Sequence, residues 1–456
     1  MSVLWTSEDI AAATGGEVLA PFGATGVSID SRTVQPGDLF VPLVAERDGH
    51  QFIGKAMAAG AAGVLSDRDV DVPAVKVNGT MEALVALGRA GRERSTAKRI
   101  AVTGSVGKTS VKDALGTMLG ALGKTHVSQR SFNNHLGVPI TLATCPPDAQ
   151  FAVFETGMNH AGELTDLSFQ VMPHVAVITT VAGAHTAHFE SVEAIADAKA
   201  EIRHGLVKHG ILILNSDNPY TPRIRKQAER SGGINIKTFG HEGDTVIMRA
   251  THASDGGSLM VRSRWNNRGG GDCFIEHQLS GEHWDHNLAA CIAVASALGL
   301  DLQKAAKALE DVSESAGRGD VSSVTIAGKA VTLIDQSYNA NPESMRAAIA
   351  AAGLRDGRLV ALLGDMYELG ADELALHAGL AAPLQKAGFA RVLTVGECMR
   401  ALRGALPREM RGDHADNAEL IRPMLEDELR DGDVLLIKGS NATGLGSLAR
   451  ALKGNG

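Results

Sequence analysis

The sequence predicts an α/β protein of three domains: a small α/β N-terminal domain, a central domain with a parallel sheet and an added antiparallel sheet, and a C-terminal Rossmann-like domain. The length of 456 residues suits this number, because domains commonly hold roughly 100–200 residues. From Ile100 onward, short apolar runs alternate with helical stretches, which is typical of a mostly parallel sheet covered on both faces. A polar, glycine-bearing segment, SESAGRGD at 313–320, separates two such alternating regions.

The overall composition favours no charged macromolecular partner. Hydrophobic residues make up 44% and charged residues 21% of the chain, which is ordinary for soluble globular proteins. A net charge of −8 gives no general attraction to nucleic acid or to an anionic membrane. No apolar stretch reaches the ~18 residues that span a bilayer, and the first residues lack the features of a secretory signal. We therefore expect a cytoplasmic protein with no nucleic-acid partner and no membrane insertion.

The first domain is expected over residues 1–81 as short strands and helices. Thr6 or Ser7 is predicted to cap a helix that runs through Ala13, and Gly15-Gly16 ends it. Further helices are expected around residues 52–61 and from Met81 to about Arg94. The predicted strands are the apolar runs VSI (27–29), LFVPL (39–43), VLS (64–66) and AVKV (74–77).

The second domain is expected over residues 82–314 and combines two kinds of strand. The predicted buried strands are Ile100–Thr103, Phe151–Phe154, Val175–Thr179 and Ile211–Leu214. Residues 240–282 differ, because the apolar runs VIMRA, SLMVRS and CFIEHQL are separated by glycine, aspartate and asparagine clusters. This pattern predicts an antiparallel meander that is inserted into, or attached to, the central domain.

The third domain is expected over residues 315–456. Four apolar runs, VTLID, LVALLGD, RVLTVG and DVLLIKG, alternate with helical stretches there. This alternation predicts a Rossmann-like unit of ordinary domain size.

The strongest local motif is a glycine-rich loop between a predicted strand and an amphipathic helix. Glycines let backbone N–H groups surround phosphate oxygens at a helix N-terminus, which favours anions. Lys108 supplies a positive charge to the β- and γ-phosphates, and the Thr109 hydroxyl is a Mg²⁺ ligand. A glycine turn that carries a lysine by chance is the alternative, and the flanking strand and helix argue against it. The sequence therefore predicts a central domain of P-loop ATPase type whose ATP-binding loop is Gly104-Ser105-Val106-Gly107-Lys108-Thr109-Ser110.

This loop is shorter than the standard P-loop. Only Ser105 and Val106 separate its first glycine from the Gly-Lys pair, and Ala101 stands where the longer motif has its first glycine. The short form resembles the TGxxGKT/S loop of the Mur ligase and folylpolyglutamate synthase superfamily. Nearly the whole chain is similar to the Mur ligases that add D-alanyl-D-alanine to UDP-N-acetylmuramoyl-tripeptide. The resemblance implies an ATP-dependent amide ligase with these two small-molecule substrates.

Two segments resemble the regions of the family that hold the UDP-linked substrate. Asp30-Ser31-Arg32, with PGDLFVPL and DGHQFI after it, is similar to the segment at the UDP end. The resemblance implies substrate contacts for Ser31 and Arg32, whose hydroxyl and guanidinium suit uracil and diphosphate. Without it, these residues would be read as a polar turn after a strand. SFNNHLGVP at 131–139 resembles the NNxxGVP loop, which implies substrate contacts for Asn133 and Asn134.

The resemblance also implies a site for two Mg²⁺ ions. Besides Thr109, it assigns Glu155 at the end of the run FAVFE and His185 in VAGAHTAHF as metal ligands. Lys199 in ADAKAEI matches the lysine that the family carbamylates. A carbamate is an anionic oxygen ligand for the metal, where an ammonium would repel it. By helical spacing alone, Lys199 and Glu201 would be read as a solvated face.

Two further positions resemble nucleotide-binding residues of the family. Asn287 in HWDHNLAA matches an asparagine of the HNxxNxxAA helix, although Trp284 replaces the first asparagine of that motif. Arg318 in GRGD resembles a linker arginine that reaches the γ-phosphate. The resemblance implies that Lys108, Lys199 and Arg318 are the catalytic residues.

The C-terminal domain holds the most diagnostic stretch, DQSYNANP at 335–342. It resembles the DDSYNANP motif of this branch, with Gln336 in place of the second aspartate, whereas related ligases carry histidine-containing versions. The resemblance implies ATP contacts for Asp335 and Asn339, and selection of D-alanyl-D-alanine by residues around Tyr338 and Asn339. KGSNATGLG at 438–446 matches a second family motif, with Asn441 where an arginine is common.

The implied reaction activates a carboxylate. ATP converts the terminal carboxylate of the tripeptide into an acyl phosphate, and the amine of D-alanyl-D-alanine then attacks the acyl carbon. The protein contributes mainly positioning and charge neutralisation. The family also implies a monomer. Because the substrates come from different domains, we expect the C-terminal domain to close over the central one about the linker near Gly317.

Three other interpretations compete with this one. The chain could be another ligase of the superfamily, such as the diaminopimelate- or lysine-adding Mur ligase or a folylpolyglutamate synthase, but SYNANP argues against these. It could be a nucleotide-binding regulatory module, which the short P-loop and the metal-site residues disfavour. It could be a degenerate substrate-binding homologue, an idea that Trp284 and Gln336 support and that the retained catalytic residues oppose.

Overall fold

A computed structural model of the chain describes residues 3–129, 132–183, 189–264, 270–314 and 317–454. These residues form three successive α/β units, whose main sheets have five, nine and six strands. The predicted α/β class is confirmed, and the domain boundaries after residues 81 and 314 stay predictions. Among the described helices, none combines the length and the apolar composition that a membrane crossing requires.

The N-terminal unit is built on a short, mostly parallel sheet. Its strands are β1 (Trp5–Thr6), β2 (Glu17–Val18), β3 (Gly23–Ala24), β4 (Gly26–Ser28), β5 (Asp38–Phe40), β6 (Gly63–Ser66) and β7 (Ala74–Lys76). Its helices are α1 (Ser7–Thr14), α2 (Ile53–Ala58) and α3 (Thr80–Arg94). The main sheet has the order β2-β7-β6-β5-β4, and β1 pairs with β3 apart from it. This unit carries the segment that the sequence assigned to the UDP-linked substrate.

The start and end of α1 follow the predicted chemistry. The Thr6 side chain accepts a hydrogen bond from the Asp9 N–H, and the Asp9 side chain accepts one from the Thr6 N–H. Together they form a capping box. The helix stops at Gly15, whose φ of +68° is the left-handed conformation that glycine adopts without strain. The helix expected at 52–61 is shorter, since α2 ends at Ala58.

The central unit contains the largest sheet. Its strands are β8 (Lys98–Thr103), β9 (Thr125–Val127), β10 (Phe151–Glu155), β11 (Val175–Ile178), β12 (Ile211–Asn215), β13 (Asn235–Gly240), β14 (Thr245–Ala253), β15 (Gly256–Ser263) and β16 (Gly271–His277). Its helices are α4 (Lys108–Leu122), α5 (Gly137–Ala143), α6 (Glu163–Val171), α7 (Val192–Ala200), α8 (Thr221–Ser231), α9 (His283–Ala297) and α10 (Leu302–Leu309). The sheet order is β16-β15-β14-β13-β12-β11-β8-β10-β9.

The predicted meander is part of this sheet. Strands β14, β15 and β16 pair antiparallel with each other, while β14 pairs parallel with β13. Strands β8, β10, β11 and β12 are buried over most of their length, which explains their continuous apolar runs. Ile100 and Val102 pack with α4, α9 and α10, whereas Ala101 packs with α5 to α8. This two-sided cover fixes the ends of the strands, where the functional side chains lie.

The C-terminal unit is a second doubly wound sheet. Its strands are β17 (Asp320–Ile326), β18 (Lys329–Gln336), β19 (Leu359–Gly364), β20 (Arg391–Val395), β21 (Arg411–Ala415) and β22 (Asp433–Lys438). Its helices are α11 (Pro342–Ala352), α12 (Glu373–Ala378), α13 (Ala381–Lys386), α14 (Met399–Ala405), α15 (Ala418–Glu428) and α16 (Leu445–Leu452). The order is β17-β18-β22-β19-β20-β21, with only β17 antiparallel to its neighbour. The four predicted runs are β18, β19, β20 and β22, and β17 and β21 were not predicted.

Candidate active site

A cavity of about 910 Å³ lies between the central and C-terminal units. Its central wall is formed by the glycine-rich loop after β8, by residues after β10, β11 and β12, and by the start of α9. Its opposite wall is formed by residues 317–318, the ends of β18 and β22, and the start of α11. Open α/β sheets bind ligands outside the carboxyl ends of their strands. The cavity is therefore the candidate active site.

The glycine-rich loop has the conformation of a phosphate cradle. Gly107 has a φ of +83° and directly precedes α4, whose N-terminus has no side-chain cap. Gly104 has a φ of +155°, and a Cβ there would lie 1.9 Å from the Thr179 hydroxyl oxygen. No side chain other than hydrogen fits that position without moving Thr179. The free N–H groups of a helix start favour an anion.

Lys108 lies in the first turn of α4, and its ammonium turns back over the loop. The Nζ atom donates to the Gly104 carbonyl oxygen at 2.6 Å. Burial lowers the pKa of Lys108, and the nearby Glu155 carboxylate partly opposes this shift. A buried ammonium held at the mouth of the loop is placed to meet a phosphate group.

Thr109, Glu155 and Asn133 form a buried chain of hydrogen bonds. The Thr109 hydroxyl donates to Glu155 Oε2 at 2.8 Å, and Asn133 Nδ2 donates to Glu155 Oε1 at 2.8 Å. Glu155 is only 1% exposed at the end of β10. A hydroxyl and a carboxylate are oxygen ligands of the kind that Mg²⁺ prefers. These residues therefore fit the metal site that the sequence predicts, whereas His185 lies outside the described residues.

Lys199 lies in the last turn of α7, lines the same cavity and is only 3% exposed. Burial, followed by the positive charge of Lys108, holds the pKa of Lys199 well below its ordinary value. Both causes destabilise the ammonium form of Lys199 relative to a lysine in solvent. The helical face on which Lys199 lies is buried, so the solvated-face interpretation of this lysine is wrong.

The start of α9 contributes a mixed set of polar groups. Asn287 is buried, and its Nδ2 atom has no hydrogen-bond partner among the described residues. Its Oδ1 atom lies 2.9 Å from the place that a Cβ on Gly107 would take, so it adjoins the phosphate loop. Trp284 does not line the cavity, because its Nε1 atom donates to Glu314 Oε1 at 2.9 Å. An unpaired buried amide beside the loop is suited to a ligand contact.

The C-terminal wall brings Arg318 and Tyr338 together. The Arg318 guanidinium carbon lies 3.9 Å from the centre of the Tyr338 ring. Gln336 and Asn339 also line the cavity. Asp335 does not: its carboxylate accepts hydrogen bonds from Ser337 and from Lys453 Nζ, the latter at 2.7 Å. The structure thus brings Asn339 and Arg318 to the cavity and places Asp335 in a supporting network.

The residues assigned to the UDP-linked substrate lie mostly outside this cavity. Ser31 is buried and Arg32 is exposed in the turn after β4, where Arg32 pairs with Asp30 at 2.7 Å. Asn134 accepts hydrogen bonds from the N–H groups of residues 136 and 137, in the turn that precedes α5. Of this group only Asn133 lines the cavity.

Several lining residues were not assigned a role from the sequence, and four of them carry polar side chains at the ends of strands or helices. Lys438 and Gln336 end neighbouring strands, His283 begins α9, and Asp217 follows β12. Asp217 accepts hydrogen bonds from His241 and from His286, and although burial opposes it, these bonds lower the pKa of Asp217 to about 2. A polar residue at the carboxyl end of a predicted strand was the available signal in three of these cases.

Comparisons with known proteins agree with this geometry. The sequence profile of the Mur ligase middle domain matches residues 102–295, and the profile described as Mur ligase, glutamate ligase domain matches residues 317–441. The chain is 32% identical over 450 residues to the UDP-N-acetylmuramoyl-tripeptide–D-alanyl-D-alanine ligase of Rickettsia prowazekii, covering 97% of this chain and 98% of the relative. It is 34% identical over 437 residues to the ligase of the same name from Escherichia coli, covering 94% of each.

Solved structures give the same grouping. A crystal structure of MurF from Acinetobacter baumannii superimposes with a TM-score of 0.84 at 30% identity, covering 99% of each chain. The profile matches and the nearly full-length relatives cover the same three units as the fold. The chain therefore belongs to the Mur ligase family, where it groups with the UDP-N-acetylmuramoyl-tripeptide–D-alanyl-D-alanine ligases.

Proposed function

We propose that this chain uses ATP to join D-alanyl-D-alanine to UDP-N-acetylmuramoyl-tripeptide in peptidoglycan precursor synthesis. The observation that carries the proposal is the single cavity wall on which Lys108, Thr109, Glu155 and Lys199 converge, opposite Arg318. The relatives named above carry the same activity in their names. Both substrates are small molecules, and the chain acts as a monomer.

The reaction proceeds in two steps. The terminal carboxylate of the tripeptide attacks the γ-phosphorus of ATP, the bond to the β-phosphate oxygen breaks, and ADP leaves. The amine of D-alanyl-D-alanine then attacks the acyl carbon of this acyl phosphate, and inorganic phosphate leaves with the electron pair of the broken bond. The attacking amine loses a proton, so the products are an amide, ADP and phosphate.

The phosphate loop and the positively charged side chains of Lys108 and Arg318 hold the phosphoryl group that is transferred. Backbone N–H groups at the start of α4 bind the phosphates of ATP, with Gly104 and Gly107 leaving room for them. Lys108 approaches the phosphates from the central wall and Arg318 approaches from the C-terminal wall. Tyr338 orients the Arg318 guanidinium by stacking beneath it. Asn287 and Asn339 provide further nucleotide contacts.

Thr109, Glu155 and His185 are proposed to hold Mg²⁺. When bound, Mg²⁺ neutralises phosphate charge and polarises the phosphorus that the carboxylate attacks. Asn133 keeps the Glu155 carboxylate oriented by its 2.8 Å hydrogen bond. Asn134, the next residue in the same loop, contacts the muramoyl part of the substrate together with Asn133. Ser31 and Arg32 bind the UDP end.

Lys199 is proposed to be carbamylated and to serve a second Mg²⁺. The neutral amine attacks CO₂, a nitrogen–carbon bond forms, and a proton leaves to water, which gives an anionic carbamate. The lowered pKa of Lys199 favours this step, because an ammonium has no electron pair for it. Carbamylation also replaces the positive charge of a Lys199 ammonium by a negative one. This change removes the charge repulsion between Lys199 and Lys108.

An isotope experiment tests the acyl-phosphate route. Tripeptide substrate labelled with ¹⁸O in its terminal carboxylate is turned over with ATP and D-alanyl-D-alanine, and the released phosphate is analysed by mass spectrometry. The proposal predicts one ¹⁸O atom in each phosphate, because the attacking carboxylate oxygen leaves with phosphorus. Phosphate without label, formed alongside UDP-linked pentapeptide, would exclude the acyl phosphate.

A further inference from the structure

Lys438 is a buried cation on the C-terminal wall of the cavity that the reaction described above leaves unused. It is the last residue of β22 and is 3% exposed. Its Nζ atom donates to the backbone oxygen of Asn339 at 2.9 Å and more weakly to that of Gln336 at 3.5 Å. The hydrogen-bond partners of Lys438 in the described part of the chain are these two backbone oxygens, with no carboxylate among them. A buried ammonium without a counter-ion is costly, unless a ligand brings the negative charge.

Lys438 lies at the carboxyl end of a central strand, where open α/β sheets commonly bind ligands. Strand β22 lies between β18 and β19, and Lys438 pairs with Gln336 at the carboxyl end of β18. The helix after β18 packs on one face of the sheet, and the helix after β22 packs on the other. Chain connections that diverge in this way open a crevice at the carboxyl ends of two neighbouring strands. Lys438 lies at the floor of that crevice.

Lys438 lines the same cavity as Arg318. Burial, followed by the positive charge of Arg318, lowers the pKa of Lys438 to about 7. His283 on the facing wall is held neutral, because burial and then the charge of Lys438 lower its pKa to about 4. Lys438 is therefore a second basic side chain on the C-terminal wall, beside Arg318.

Three small apolar side chains line the cavity, interspersed with the polar residues Asn341, Glu343 and Ser344. Ala340, Ala347 and Ala348 line the same cavity, on the loop after β18 and on α11. Methyl-sized side chains leave room for a small ligand and match the methyl groups of alanine residues. An anion-binding lysine beside such a wall is complementary to a short peptide of alanine with a free carboxylate.

We infer that Lys438 binds the terminal carboxylate of D-alanyl-D-alanine and so selects a free dipeptide as the second substrate. This inference rests on the proposed function and assigns the acceptor end of its site. The carboxylate supplies the missing counter-charge of the lysine, while the alanine wall holds the methyl groups. The dipeptide amine then points away from Lys438, toward the activated carboxylate of the tripeptide.

The test compares two acceptors and two enzymes. D-alanyl-D-alanine and its C-terminal amide are assayed with wild type and with Lys438→Met, which keeps the length of the side chain and removes its charge. In wild type, kcat/KM for the acid exceeds that for the amide by about 10- to 100-fold, as expected for a hydrogen bond between charged groups. In Lys438→Met this ratio falls to within about threefold, and the KM for ATP stays unchanged. Lys438→Arg keeps part of the preference.

Lys329→Met is the matched control, because Lys329 begins β18 at the opposite end of the same sheet and donates to the Glu426 backbone oxygen. It is expected to keep the wild-type ratio of kcat/KM between acid and amide.

A wild-type ratio in Lys438→Met would overturn the inference. A rise in the KM for ATP or for the tripeptide, in place of a rise in the KM for the dipeptide, would also overturn it. If Lys438→Met turns over too slowly, calorimetric binding of the dipeptide in the presence of a non-hydrolysable ATP analogue and the tripeptide decides: unchanged affinity overturns the inference, and lost affinity supports it. Failure of wild type to use either acceptor would instead contradict the proposed function.

Discussion

The Thr109 hydroxyl donates a 2.8 Å hydrogen bond to a carboxylate oxygen of Glu155. This bond joins the first turn of α4 to the end of β10, the neighbour of the strand that feeds the phosphate loop. Two oxygen atoms of the kind that a hard cation binds are thus held close together. Such preorganisation limits the rearrangement that metal binding requires.

Glu155→Gln is expected to raise the Mg²⁺ concentration for half-maximal activity by at least about tenfold, because it removes an anionic oxygen ligand from the site. The measurement is the initial rate as a function of Mg²⁺ at saturating ATP. Glu193→Gln, on the exposed face of α7, is the control and is expected to keep the wild-type dependence. A wild-type Mg²⁺ dependence in Glu155→Gln would remove Glu155 from the metal site.

Lys199 is expected to carry a carbamate in the active enzyme. Enzyme depleted of CO₂ is predicted to lose activity and to regain it when bicarbonate is added, because the buried neutral amine reacts with CO₂. Enzyme equilibrated with ¹³C-bicarbonate is predicted to show a carbamate carbon resonance that Lys199→Arg lacks. Full activity without CO₂, together with no such resonance, would show that the lysine acts unmodified.

The Tyr338 ring is expected to support Arg318 through its face. Tyr338→Phe keeps the ring and is predicted to retain near wild-type kcat/KM for ATP. Tyr338→Leu removes it and is predicted to lower this value by about two- to fivefold, the usual range for an exposed cation–π contact. Equal losses in both variants would assign the effect to the hydroxyl instead.

Glu314 is expected to make stability depend on pH. Burial raises the pKa of this carboxyl from 4.5 to about 7 in the folded chain, although the hydrogen bond from Trp284 opposes the shift. Between these two values the folded state binds a proton that the unfolded state has lost. Stability is therefore predicted to fall as the pH rises from about 4.5 to 7, and to change no further through this group above that range.

Glu314→Gln removes the titrating group and can keep the hydrogen bond to Trp284. Thermal unfolding of wild type and variant between pH 5 and 8 is the measurement, and the variant is predicted to gain stability relative to wild type as the pH rises. A constant difference across this range would show that Glu314 titrates alike in both states.

The sequence predicted the layers of the fold better than the direction in which individual side chains point. Apolar runs marked the buried strands of the central and C-terminal sheets, because strands covered on both faces need apolar residues at every position. The meander after Gly240 was recognised, but its pairing with β13 depends on contacts distant in sequence. Strands β17 and β21 were missed, since alternating or polar strands at a sheet edge carry a weak signal.

The SYNANP region shows the same limit at the level of one residue. The motif assigned Asp335 to ATP, yet Asp335 pairs with Lys453 while its neighbour Gln336 lines the cavity. Successive side chains of a strand point to opposite faces, so adjacent motif residues have different surroundings. Spacing alone does not say which of the two faces the ligand. Lys438 was seen as part of a motif, but its missing counter-ion became visible only in three dimensions.

The most direct test of the proposed function is phosphate release from ATP, with UDP-N-acetylmuramoyl-tripeptide and D-alanyl-D-alanine supplied singly and together. The tripeptide is offered in both its lysine and its meso-diaminopimelate form. We expect phosphate release only when both substrates are present, accompanied by formation of a UDP-linked pentapeptide that is detected by mass spectrometry. ATP binding without release or pentapeptide, under the same conditions and with both tripeptides, would contradict it.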